Sequence, residues 1–110
     1  MKPALIAHGG CGTPPPGEEI PRQEATDRAA DAGWAVLAKG GSALEAVEAA
    51  VTRLEDEPVL NAGTGSYLQA DGVARMDASL MTSDGRAGAV AQVPTLKNTL
   101  RPLLRSSSAI

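Results

Sequence analysis

The chain has 110 residues, 43% of them hydrophobic, and a formal charge of -3, a size that suits one domain and leaves no obvious place for a second. The acidic balance argues against a nucleic-acid partner, no apolar run approaches the roughly 20 residues needed to cross a membrane, and "MKPALIAHGG" has too short an apolar core for a signal peptide. The single cysteine, Cys11, cannot form an internal disulfide, and with the single histidine, His8, it cannot make a structural zinc site, so a soluble, cytoplasmic protein is expected.

Phe is absent and the aromatic residues are Trp34 and Tyr67, so the core must be built from small side chains at close backbone approach. In chain order, "ALIA" at residues 4 to 7 is a short apolar run ending in glycines, consistent with a buried strand that stops at a turn. "CGTPPPGEEIP" holds four of the eight prolines, which predicts a stiff exposed loop. From Arg22 to Ala38, Ala25, Ala29, Ala32, Val36 and Leu37 recur at helical spacing, and Gly40 and Gly41 end the pattern. Ser42 with Glu45 forms a capping box for a second helix. Its predicted apolar face is Ala43, Leu44, Val47, Ala50, Val51 and Leu54, and Pro58 closes it from beyond its end.

The period then changes. "SYLQADGVARMDASLM" places an Asp71-Gly72 turn between two strand-like runs, and "SDG" at 83 to 85 leads into a third strand, "RAGAVAQV". Strand, two helices and an antiparallel meander predict an α+β fold with helices layered on a sheet. After Val93 the signals decay, and there is no internal repeat.

Two glycine-paced stretches, "HGGCG" at 8 to 12 and "LEDEPVLNAGTGS" at 54 to 66, raise the question of chemistry. Neither has the residues of a phosphate loop or a dinucleotide fingerprint. The second follows a helix C-terminus, whose free carbonyls could wrap a hard cation or form a rigid turn. Cys11, three residues from His8 at a turn, reads better as an inert small residue than as a nucleophile. Asp77, inside a predicted strand of small and apolar residues, is either a structural acceptor for loop amides or a site residue. The structural role is favoured for Asp77 and for His8.

Taken together, "HGGCG", "AGWAVLAKGGSALEAVEAAV", "LEDEPVLNAGTGS", "DGVARMDASLM" and "RAGAVAQV", in this order, resemble the N-terminal part of the plant-type L-asparaginases, or isoaspartyl aminopeptidases, over about residues 4 to 98. These are N-terminal-nucleophile hydrolases. The resemblance implies about half of an αββα sandwich that is made as a precursor and cut into an α and a β subunit. It places residues 1 to 98 in the α-subunit-like part and leaves 99 to 110 as a divergent tail. The new N-terminal threonine of the β subunit would attack the side-chain amide of L-asparagine or an isoaspartyl dipeptide, its own amine serving as base. By the same resemblance, His8, Gly9 and Gly10 support the cleavage region and Asn61 lies near the nucleophile. The main-chain carbonyls of Leu54, Glu55, Glu57, Leu60, Ala62 and Thr64 hold a structural sodium ion; no other cofactor is implied.

One departure stands out. The family's "TVG" cleavage motif does not occur in these residues, and "KNT" stands near residue 99 where "KNP" is expected. The expectation is therefore a truncated gene product or a chain whose other half is encoded separately, inactive alone and paired with a β-subunit-like chain. The alternatives are a decayed, inactive fragment and a self-associating cation-binding module.

Overall fold

The first helix begins three residues before the periodicity predicts it. In the structure, a computed structural model that describes residues 2–94, α1 spans Glu19–Ala38, so Pro21 lies in its first turn. A proline there costs little, because the first-turn N–H groups have no partner within the helix. At the other end the Gly41 N–H donates to the Val36 carbonyl (2.9 Å) and the Gly40 N–H to that of Leu37 (3.0 Å). Gly40 has φ +83, and together these form a Schellman stop.

Helix α2, Ala43–Asp56, starts on the predicted capping box. The Glu45 N–H donates to Ser42 Oγ at 3.1 Å and the Ser42 N–H to Glu45 Oε2 at 2.9 Å. The seam between the helices is made of small residues: Ala25, Ala29 and Gly33 on α1 against Ala46 and Ala50 on α2. A Cβ on Gly33 would lie 2.6 Å from the end of the flexible Leu5 side chain, 3.1 Å from the Ala46 carbonyl and 3.2 Å from Ala50 Cβ, so glycine keeps this tight approach free of crowding.

The face predicted for α2 is only partly correct. Ala50 is buried and Leu44, Val51 and Leu54 are half-buried, but Ala43 and Val47 are exposed, and Ala46 is buried in their place. The helix packs in two directions: Ala46 and Ala50 meet α1, while Leu44 and Val51 pack on Leu80 of the strand layer.

The strand layer has two antiparallel members among the described residues, β1 (Met76–Met81) and β2 (Ala87–Val93). The predicted turn joins them: Gly85 has φ +87, its N–H donates to the Thr82 carbonyl at 3.0 Å and the Thr82 N–H to that of Arg86 at 2.9 Å. Met81 pairs with Ala87 and Ala78 with Val90, but Met76 pairs with Val93, so β2 carries one extra residue. At this bulge Gln92 has φ 56, and its N–H donates to Asp77 Oδ1 at 2.8 Å.

Two predicted strands are not ladder members. At the Asp71-Gly72 turn the Gly72 N–H donates to the Gln69 carbonyl (2.8 Å) and the Gln69 N–H to that of Val73 (2.9 Å), yet residues 66–69 do not continue as a strand. The Tyr67 N–H is taken by Asn61 Oδ1 at 2.8 Å, which draws this arm toward the preceding loop. Residues 4–7 show alternating burial, with Leu5 and Ala7 half-buried and Ala4 and Ile6 exposed. That is the strand period, but no described neighbour supplies a ladder. The mixed α+β class holds in this coarser form; the 99–110 tail lies outside the described residues. Among those residues no helix is long and apolar enough to cross a membrane.

Candidate functional site

Both glycine stretches open onto one cleft of about 900 Å³, lined by His8, Gly9, Gly10, Arg22, Asn61 and Tyr67 among others. The cleft therefore gathers His8–Gly10 with Asn61, four of the residues singled out by sequence, although 51 positions separate Gly10 from Asn61 along the chain.

Each wall has a local cause. His8 Nδ1 accepts the Gly10 N–H at 3.1 Å, which folds the ring back over its own loop and leaves the proton of the neutral ring on Nε2. Gly9 lies against α1, where a Cβ would approach Thr26 Oγ1 to 2.5 Å. The Thr26 hydroxyl in turn donates to the Arg22 carbonyl (2.9 Å). Arg22 donates from Nη2 to Glu18 Oε2 at 2.9 Å, and the Glu18 carboxylate, followed by the Tyr67 hydroxyl, holds its guanidinium above the ordinary arginine range. Cys11, also on the cleft, is a free, exposed thiol. Opposite, Asn61 Oδ1 is occupied by the Tyr67 N–H, so the side-chain NH2 is the donor left for other partners.

The second stretch leaves α2 through Glu57, whose N–H donates to the Leu54 carbonyl (3.3 Å) and whose carbonyl accepts the Leu60 N–H (3.2 Å). It ends in a short 3-10 turn, Gly63–Gly65, in which the Gly65 N–H donates to the Ala62 carbonyl at 3.1 Å. Between these points the backbone curls inward. A Cβ on Gly63, at φ +52, would overlap the Glu55 carbonyl, and one on Gly65 would overlap those of Leu60 and Pro58. Glycine is thus required where main-chain oxygens converge. Of the six carbonyls expected around a cation, those of Glu55 and Leu60 face this glycine segment, and those of Leu54, Glu57 and Ala62 each accept one N–H and keep a second lone pair. Thr64 lies inside the 3-10 turn.

Among the described residues no group of three His, Cys, Asp or Glu side chains could hold a metal ion. Any cation here would be a hard one, held by backbone oxygen. The donor set and the glycine-lined curl fit that requirement.

One feature escapes sequence reading. Arg28 of α1 donates from Nε to Glu57 Oε1 at 2.8 Å, and Arg53 Nη2 lies 3.9 Å from the same oxygen. The Arg28 hydrogen bond holds the Glu57 carboxyl below its usual range against the opposing effect of burial, with the charges of both arginines adding to it. The Arg53–Glu57 spacing of four is legible on a helix; Arg28, 29 residues from Glu57, has no local signal. Asp77 lies away from the cleft lining, exposed on β1, as the acceptor at the bulge described above.

With the geometry established, comparison with known proteins gives a consistent result. A family model described as Asparaginase matches residues 1–103. The plant-type L-asparaginase of Thermococcus kodakarensis is 52% identical over 101 residues, covering 88% of this chain and 32% of that protein. That of Pyrococcus abyssi is 50% identical over 99 residues, with the same coverages of 88% and 32%. The human isoaspartyl peptidase/L-asparaginase is 43% identical over 103 residues, covering 92% of this chain and 33% of that protein. The chain spans about a third of the length of these curated relatives, and its cleft and glycine loops fall inside that third. It belongs to the asparaginase family of amidohydrolases.

Proposed function

We propose that this chain forms the α-subunit-like part of an N-terminal-nucleophile hydrolase. Its substrate is the side-chain amide of L-asparagine or the isoaspartyl bond of a dipeptide, and a β-subunit-type segment outside these 110 residues supplies the nucleophilic threonine. The observation that carries the reading is the single cleft in which the His8–Gly10 loop meets Asn61. The apolar Ile6, Leu68 and Met81, 95%, 68% and 69% exposed, mark surfaces for a complementary part to cover.

In that assembly the threonine amine takes the hydroxyl proton as the oxygen attacks the amide carbon. Donors facing the developing oxyanion lower the barrier. Collapse expels the amine or ammonia, which carries the proton away, and water then hydrolyses the ester. In this reading the Asn61 NH2, which the bond to Tyr67 leaves open, donates beside the nucleophile, and His8, Gly9 and Gly10 shape the wall where precursor cleavage occurs. The inward carbonyls of residues 54–64 hold a structural sodium ion that fixes the loop bearing Asn61. The exposed thiol of Cys11 suits a reducing, cytoplasmic setting.

The test is release of ammonia or aspartate from L-asparagine and β-aspartyl dipeptides, by the chain alone and mixed with a family β subunit. Activity in the mixture alone supports the proposal. Activity of the chain alone would mean another nucleophile and overturn the assignment. Silence in both, with sodium-dependent melting and self-association, favours a cation-binding module instead.

A further inference from the structure

We propose that Arg28 is a positioning residue for the cation loop: its hydrogen bond to the Glu57 carboxylate latches the mouth of residues 54–64 to α1 and holds the carbonyls turned inward before any ion arrives. The inference rests on the cation reading given above and adds to it a residue outside the expected ligand set.

Glu57 is the C-cap of α2, at φ -88 and ψ 114, the residue where the chain turns out of the helix into the loop. A carboxylate at a helix C-terminus opposes the helix dipole, so the position calls for compensation from elsewhere. Arg28 provides it from another helix at 2.8 Å, whereas Arg53 of the same helix reaches only 3.9 Å. The Glu57 side chain is 15% exposed, against 45% for Arg28, so the carboxylate is largely covered and the arginine reaches it from the solvent side. The backbone of the same residue accepts the Leu60 N–H at 3.2 Å. Fixing the Glu57 side chain therefore fixes the first turn of the loop as well. At the far end, Asn61 Oδ1 holds the Tyr67 N–H, so the glycine segment is tied down on both sides. A loop already ordered binds its ion without the entropy cost of closing.

A charge effect and a latch make opposite predictions. If only charge mattered, Arg28→Gln would tighten sodium binding by removing a nearby cation, and Glu57→Gln would weaken it. If the pair is a latch, both changes weaken binding. The experiment is thermal unfolding of the full chain across a sodium chloride titration, with ionic strength held constant by choline chloride. Arg28→Gln and Glu57→Gln are each expected to raise the sodium midpoint about fivefold, the scale of one well-formed partly exposed ion pair. The double variant should show no more than either single change. Arg28→Lys, which keeps a cation within reach of Glu57, should recover most of the loss, and Arg86→Gln, which breaks the distant pair with Asp84, should leave the midpoint unchanged. Opposite shifts in the two single variants, or unchanged midpoints in both beside a normal response of the parent chain, overturn the latch alone. A parent chain indifferent to sodium overturns the cation reading, and the latch falls with it.

Discussion

The helix pair and the strand pair of this molecule stand in contrast. Between α1 and α2 the contact is closed: alanines and Gly33 meet across it, α2 opens on a reciprocal cap, and α1 stops on a Schellman motif. The strand layer is open. β1 and β2 pack on α2 through Ala78, Leu80 and Val90, while Asp77, Ser79, Met81, Ala87 and Ala89 remain exposed on the other side. Helices satisfy their backbone groups within one segment, whereas a strand needs a neighbour. The helix pair buries its seam within these residues, while the strand pair leaves one face exposed, the surface that the proposed β-subunit-type segment would cover.

The contrast breaks most readily at the seam. Gly33→Val places a branched side chain against Leu5, Ala46 and Ala50, and overpacking of this kind costs about 3 kcal/mol. The urea midpoint of the full chain should fall accordingly with the m-value unchanged. A midpoint within error of the parent would show that the helices can separate cheaply, and the seam would no longer count as closed.

Next in size is the glycine loop of residues 54–66. Gly65→Val drives a side chain into the carbonyls of Leu60 and Pro58, with an expected cost of about 2 kcal/mol from strain and displacement. On the sodium reading proposed above, sodium should stabilise the variant less than the parent. Equal melting temperatures and an equal sodium response would remove the argument that glycine is required there.

The helical layer was largely legible because its signals are short-ranged. Ser42 and Glu45 lie three residues apart, and Gly40 and Gly41 follow directly on the helix they stop. The Ser83–Gly85 turn was legible for the same reason. The absent pairing of residues 66–69 was not, since it depends on Asn61 capturing the Tyr67 N–H. Nor was the burial of Ala46 in place of Val47, which depends on α2 having neighbours on two sides. Of the site, the residue pattern showed the two glycine stretches, and the family resemblance added Asn61 and the grouping. Arg28 was missed because only the fold brings it to Glu57.

A matched pair of substitutions sharpens the comparison at a smaller scale. Ser42→Ala removes one half of a capping box and should cost about 1 kcal/mol. Asp77→Ala removes the acceptor of the Gln92 N–H at the bulge and should cost about 0.5 to 1 kcal/mol. Hydrogen exchange separates the two: the first should raise exchange in the first turn of α2, the second around Ala91–Val93 with the helices unaffected. Global loss of protection in the Asp77 variant would mean that the strand layer supports the helices more than its open face suggests.

The smallest effect is the pH dependence, and it too divides by region. Glu57 titrates below its usual 4.5, chiefly through the Arg28 hydrogen bond. Asp71 titrates below 3.8 through Arg75 and the Val73 N–H, and Asp84 below 3.8 through the Thr82 hydroxyl and then Arg86. Each group binds its proton less readily folded than unfolded, so its contribution is complete above the unfolded value and is lost as the pH falls through the lowered one. Stability should therefore be flat from neutral pH to about 5 and decline below about 4.5, most of it recovered on return to neutral pH. Glu57→Gln should soften the first part of the decline, and Asp71→Asn the part below 3.8. A parent profile that rises on acidification, or an unchanged acid limb in both variants, would show that these pairs do not distinguish the folded chain from the unfolded one.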